Sequence, residues 1–389
     1  MTTNITDLDR ELSITPVLRM PFRAFFLGAA GFSCIALIIW LASFLLGFKV
    51  GGADLYWHIH EMIFGFAATT VLGFVLTAGQ TWTGVPTVRG ASLGALVGIW
   101  LLARITWLLP SPYQWLGSLA DALLFILAAG IIGRMVLRSR NWRNAFFAPL
   151  FLAVAGISVA YGLLIKQGDT ATAHRLLVVV LLLIVHVVLV IGGRVIPFFS
   201  DRRLKRADTT PLPWLEYCAL GASLLFIGTV AFTPDGVLMG FAAIPVALFN
   251  LLRWLRWKPW QTAGIPLLWS LYVAYLFIIG GFVAMALGAT LSVALHLLAV
   301  GGIGLMILAM ISRVCLGHSG RPLELPRGFT VAYTALIGAT LTRAAAGMLP
   351  AMYTPLLWAS GICWLLGFGL FLYHYTPILI TARTDGRPG

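Results

Sequence analysis

Residues 176–193 read LLVVVLLLIVHVVLVIGG, eighteen residues with His186 as the one ionisable side chain among them. Wound as an α-helix, such a stretch rises about 27 Å, close to the ~30 Å hydrocarbon thickness of a bilayer. It is the most apolar of many. Hydrophobic residues make up 60% of the 389-residue chain, and Asp, Glu, Lys and Arg only 10%. A soluble domain carries roughly 25% charged residues. With a mean hydropathy of +0.95 the chain has too little polar surface to cover itself in water. Its apolar stretches run unbroken for about twenty residues instead of alternating, which excludes a β-barrel. The expected fold is an all-α polytopic membrane protein.

Working outward gives about twelve transmembrane helices, near 25–46, 57–79, 91–109, 118–137, 146–166, 174–196, 214–232, 237–254, 266–286, 290–312, 329–347 and 354–376. Turn residues mark the connections, as in Thr83-Gly84-Val85-Pro86 and Ser319-Gly320-Arg321-Pro322. The formal charge of +13 resembles a nucleic-acid signature, but the basic residues sit between spans, and no nucleic acid is expected as a partner. With the N-terminus in the cytoplasm, only Lys49, Arg104, Lys166, Arg175 and Arg343 of the 26 Lys and Arg fall in the outer half. Both termini are then cytoplasmic: a segment 1–24, one membrane domain 25–380, and a tail 381–389. Asp7, Asp9 and Glu11 before the first span argue for an uncleaved signal anchor. Cys34, Cys218, Cys315 and Cys363 form no CxxC pair and imply neither a disulfide framework nor a zinc site.

The spans contain a repeat. His60 precedes Gly84 of Thr-Gly-Val-Pro by the same interval as His296 precedes Gly320 of Ser-Gly-Arg-Pro, and each loop leads to a span with an arginine near its outer end, Arg104 and Arg343. Helices 2–3 thus match helices 10–11, eight helices on. That suggests three four-helix units, 25–137, 146–254 and 266–376, with His174 as the middle counterpart at the start of helix 6. The competing explanation is coincidence among short Gly/Pro patterns. Twelve helices with histidines on helices 2, 6 and 10 resemble the architecture of the haem-copper oxidase catalytic subunit, an analogy of topology without that family's own motifs.

Ionisable groups within spans are costly and mark functional sites. His58, His60, His174 and His296 lie toward the outer side at similar depth, and His186 lies mid-span. Imidazoles so placed suit iron in haem b, or copper. His58 and His60 stand ~200° apart on a helix and face different ways, whereas His58 and Glu61 share a face. Trp57-His58-Ile59-His60-Glu61-Met62 is no metalloprotease motif, because Phe64 stands where the second histidine belongs. His60 and His296, at matching repeat positions, are the expected bis-histidine haem pair. Gly65, Gly73, Gly301, Gly302 and Gly304 either leave room for a flat macrocycle or serve close helix packing. His186, ~18 Å along the axis from His174, either binds a separate metal or hydrogen-bonds in the interior. Arg104 and Arg343 suit haem propionates or snorkel to headgroups, as does Arg175. Met306, Met310, Cys315 and His318 offer soft ligands for copper(I), or are core and loop residues.

Five blocks carry a family resemblance: Pro21-Phe22-Arg23-Ala24-Phe25-Phe26; Trp57 to Met62; Thr83 to Pro86; Gly192-Gly193-Arg194-Val195-Ile196-Pro197-Phe198-Phe199; and His296 through Leu316-Gly317-His318-Ser319-Gly320-Arg321-Pro322. In this order they resemble the NnrS family of bacterial membrane proteins. Ser319 stands where the family has threonine, which keeps the hydroxyl. The resemblance implies a bacterial inner-membrane protein that carries haem and copper and serves nitric oxide tolerance or metabolism. It implies no ligand list, and His174 and His186 fall in none of its blocks.

The sequence therefore reads as a haem b protein, copper a second possible cofactor, with the lipid bilayer and nitric oxide as its partners. It binds or reduces nitric oxide as a haem-dependent oxidoreductase, or passes electrons from a donor that the sequence does not identify. Two alternatives stay open. One is a non-redox transporter, disfavoured by sparse acidic residues (Glu61, Asp121 and Glu216) in or beside the spans. The other is a haem-binding sensor without turnover.

Overall fold

Proline, glycine and polar caps set the helix limits in the computed structural model, which describes residues 8–110, 113–206, 209–233 and 236–387. Residues 1–7 of the expected cytoplasmic segment and 388–389 of the tail lie outside the described residues. After a short helix, Leu8–Ser13, come twelve long ones. They are α1 (Pro21–Leu46), α2 (Leu55–Thr83), α3 (Ala91–Trp107), α4 (Trp115–Ser139), α5 (Phe147–Gln167) and α6 (Thr170–Leu204), then α7 (Pro213–Phe232), α8 (Gly236–Arg256), α9 (Pro266–Ala286), α10 (Leu291–His318), α11 (Thr330–Met348) and α12 (Tyr353–Ile380). No strand occurs among the described residues.

Pro21, Pro213 and Pro266 open α1, α7 and α9, where a missing N–H costs nothing. Asp54 caps α2 by accepting from the Trp57 N–H at 2.8 Å, and Thr290 caps α10 from Val293. Gly84, at φ +69°, ends α2 in the left-handed conformation that glycine adopts without a Cβ penalty. Ten of the twelve are long and apolar enough to cross a membrane. The others are α3, at 17 residues, and α11, which carries Thr334, Thr340, Thr342 and Arg343. Large apolar side chains such as Leu225, Phe232 and Phe241 point outward, as a lipid-facing surface requires.

Three boundaries differ from the sequence reading. The helix α6 runs 35 residues, about 52 Å, because Pro197 and the polar Ser200–Arg203 stretch do not stop it. In α10 the helix continues through Cys315 to His318, so His318 is helical and not in the loop; the break comes at Gly320, φ +74°. And α2 and α10 are not uniform. In each, six α-helical residues ending at a histidine (Leu55–His60; Leu291–His296) give way to an eight-residue π-helix (Glu61–Ala68; Leu297–Gly304) before the α-helix resumes.

The chain divides into two compact units. Unit 1 comprises 1–180, 314–323 and 371–389. Here Gly73 lets Phe25 of α1 close onto α2, and Ser158 of α5 donates to the Ser118 carbonyl of α4 at 3.2 Å. Unit 2 comprises 181–313 and 324–370. Its helices close on glycine in the same way, with Gly281 against Leu298 and Gly302 against Ile278 between α9 and α10.

Candidate functional site

In unit 1 the π-helix of α2 sets the geometry. A π-helix forms i→i+5 hydrogen bonds and widens the helix, which frees carbonyls. Side chains take them up. Trp100 Nε1 donates to the Gly65 carbonyl at 3.2 Å, and Thr69 Oγ1 to the Phe64 carbonyl at 2.7 Å. At the junction the neighbours His60 and Glu61 both turn inward and are fully buried.

There they meet groups from α3 and α4. His60 Nδ1 lies 2.8 Å from Glu61 Oε1. Arg104 Nη1 donates to Glu61 Oε2 at 2.7 Å, and Nη2 donates to Asp121 Oδ1, so one guanidinium bridges carboxylates from two helices. Trp107 Nε1 donates to Asp121 Oδ2 at 3.1 Å. The His60 ring is enclosed by Phe64, Trp107 and Tyr161, at centroid distances of 4.6, 4.0 and 5.2 Å. Gly65 makes the arrangement possible, since a Cβ there would stand 2.8 Å from Arg104 Nη1 and 2.5 Å from the Phe32 ring.

An ionised Glu61 only accepts, which puts the proton on His60 Nδ1 and the lone pair on Nε2. Nε2 then faces Asp121 Oδ2 at 3.6 Å, too far for a hydrogen bond.

In unit 2, His296 holds the place in α10 that His60 holds in α2. Its Nδ1 donates to the Ser292 carbonyl at 2.7 Å. A carbonyl accepts only, so Nε2 again carries the lone pair, on a ring that is half-buried. Arg343 Nη2 donates to Ser292 Oγ at 3.1 Å, so Ser292 brings Arg343 and His296 together. Arg343 Nη1 is a buried donor with no acceptor among the described residues.

The other predicted residues lie elsewhere. His58, on the opposite side of α2 from His60, stacks on Trp40 of α1 at 4.7 Å, and Glu61 bonds His60 and Arg104, not His58. His174 is half-buried in the second turn of α6. His186 Nδ1 lies 2.6 Å from Ser223 Oγ of α7. The glycines serve packing: Phe277 and Thr340 fill the space at Gly301, Ile278 at Gly302 and Trp364 at Gly304. Among the described residues no three His, Cys, Asp or Glu side chains are placed to hold a metal ion.

Sequence reasoning missed two clusters. One is the Glu61–Arg104–Asp121 bridge, for which an acidic side chain within a span is itself the signal. The other lies in unit 2. Arg253 donates to Glu216 Oε2 at 2.7 Å, to Asn250 Oδ1 at 3.0 Å, to the Tyr275 hydroxyl at 2.8 Å and to the Leu189 carbonyl at 3.2 Å. Gly193 provides the space, because a Cβ there would collide with Arg253 Nη2. Compared with known proteins, the chain matches a family model described as NnrS protein over residues 16–383. No curated protein matches it.

Proposed function

The chain belongs to the NnrS family, and from that premise we propose that it responds to nitric oxide through a haem b held in unit 2 by His296. Membership supports a nitric-oxide-response membrane protein and an association with metal or haem binding. The observation that carries the finer reading is the His296–Ser292–Arg343 arrangement. The Ser292 carbonyl fixes the imidazole with Nε2 free to bind iron, as a ligand-orienting acceptor does. Arg343, anchored on the same serine, keeps one buried N–H donor to offer a propionate. Bound there, a haem b supplies an iron that takes nitric oxide or carries an electron.

His60, which holds the matching place in unit 1, is a ligand candidate in its own right, at the outer leaflet in the orientation that the basic residues favour. His60 is also more enclosed than His296, so ligation there requires Trp107 to yield. Arg104, with both terminal nitrogens on carboxylates, is a weaker propionate partner than Arg343. His58, His174 and His186 stand as further metal candidates, copper included, on imidazole chemistry alone.

Spectra of the purified protein in detergent, oxidised and reduced, test the proposal. A Soret band is expected, lost in His296→Ala and weakened in Arg343→Gln. Protein made with ample haem that shows no Soret band, or a band unchanged in His296→Ala, sinks it. A second reading rests on the buried Glu61–Arg104–Asp121 bridge beside a π-interrupted helix, features that mark proton or ion pathways. With no Soret band, transport becomes the reading to assay.

A further inference from the structure

One end of unit 1, away from its buried histidine, collects four arginines from three distant stretches. Arg19 and Arg23 flank the start of α1, Arg321 follows α10, and Arg383 follows α12. Contacts tie these stretches together. Arg23 Nη1 donates to the carbonyls of Leu379 at 2.9 Å and Thr381 at 2.7 Å. Arg383 Nη1 donates to the His318 carbonyl at 2.6 Å, and the His318 ring lies 5.5 Å from that of Phe22. Thr384 Oγ1, next to Arg383, donates to the carbonyl of Gly320, next to Arg321, at 3.0 Å.

Charge in this cluster is poorly matched. Asp385 takes two nitrogens of Arg383, at 2.9 and 2.6 Å. Among the described residues no carboxylate pairs with Arg19 or Arg321. Arg19 is 7% exposed; its Nε and Nη2 donate to the carbonyls of Ile14 and Leu12, and its Nη1 is buried without an acceptor among the described residues. Arg321 Nη1 is likewise buried without one. A buried charged donor left unmade costs more than an ordinary hydrogen bond returns, so these two N–H groups call for an acceptor that carries negative charge.

We propose that this end of unit 1 binds an oxyanion of the phosphate class, with Arg19 and Arg321 as direct ligands and Arg23 as a positioning residue. Guanidinium matches the paired oxygens of a phosphate. The cluster sits where apolar helices end, the level at which phospholipid phosphates lie. An anionic lipid headgroup and free phosphate share the chemistry. The site is independent of the haem reading.

The test uses the delipidated full-length protein in neutral detergent. Thermal stability is read against phosphatidylglycerol, phosphatidylcholine, inorganic phosphate, and chloride at matched ionic strength. Arg321→Gln is the decisive variant, because Arg19→Gln also loses the bonds to Leu12 and Ile14. Stabilisation by phosphatidylglycerol beyond phosphatidylcholine supports a lipid ligand, and stabilisation by phosphate alone a free anion. In either case Arg321→Gln should weaken the response about tenfold or more, as for one charge-assisted hydrogen bond. No anion-specific stabilisation, or an Arg321→Gln response equal to wild type, overturns the proposal.

Discussion

Replacing Arg104 by Gln strands two carboxylates in the interior of unit 1. Glu61 and Asp121 have side chains 0–1% exposed, and Arg104 is the cation they share. Breaking a buried ionic set by removing one partner costs about 3–5 kcal/mol. Asp121→Asn should cost less, because it leaves Glu61 and Arg104 as a balanced pair and removes the surplus charge. Its loss is one charge-assisted hydrogen bond, about 1.5–3 kcal/mol, partly offset. The double variant should then be less damaged than the two losses added, since Asp121→Asn removes one of the charges that Arg104→Gln strands. Thermal unfolding in detergent at one scan rate reads the series. At roughly 2–4 °C per kcal/mol, Arg104→Gln should fall by about 6–20 °C. The reasoning fails if Arg104→Gln lies within about 1 kcal/mol of wild type. It fails equally if Asp121→Asn costs as much as Arg104→Gln.

Gly65→Ala should lower stability by about 1–3 kcal/mol, because its Cβ meets both Phe32 and Arg104, and Gly301→Ala should do the same against Phe277 and Thr340; unchanged melting would refute the packing. Gly130→Ala, with open space at its Cβ, is the control and should be neutral or slightly stabilising. Asp54→Ala should cost about 1 kcal/mol through the lost Trp57 cap, measured by the same melting and restored largely by Asp54→Asn. Arg383 and the Arg387 N–H hold the Asp385 carboxyl well below the usual carboxylate range. That contact is complete above the ordinary carboxylate pKa and is lost only as pH falls through the depressed value, so proteolysis of the tail should rise in strong acid, and at neutral pH in Asp385→Asn.

The spans were legible because the solvent requirement is written residue by residue. A run such as 176–193 has one stable state in lipid, and Gly84 and Gly320 announce where helices end. Helix α6 overran its expected end because a helix projecting into water has no compositional marker at the exit. The π segments were invisible for a different reason. In all-apolar stretches such as Ile63–Ala68 no polar residue records the helical period, so a change of period leaves no trace. His296 and Arg343 were legible as rare polar groups within apolar spans, whereas Ser292, which joins them, reads as an ordinary helix-start residue. The Arg104 bridge joins partners 43 and 17 positions away, contacts that only the packing of three helices creates.

The π segments also bear on ancestry. A π turn holds one residue more than an α turn, the mark left when a single residue is inserted into an established helix. Both α2 and α10 carry that mark immediately after a histidine, 236 residues apart, with cap, histidine, segment and closing glycine all in the same register. Inheritance from one duplicated parent accounts for this more simply than two separate insertions. On that history the histidine and its widened turn are the older feature. At the same offset Glu61 and Asp121 correspond to Leu297 and Leu357, whereas Arg104 has Arg343 about one turn past its counterpart, so the buried carboxylates are where the two copies parted.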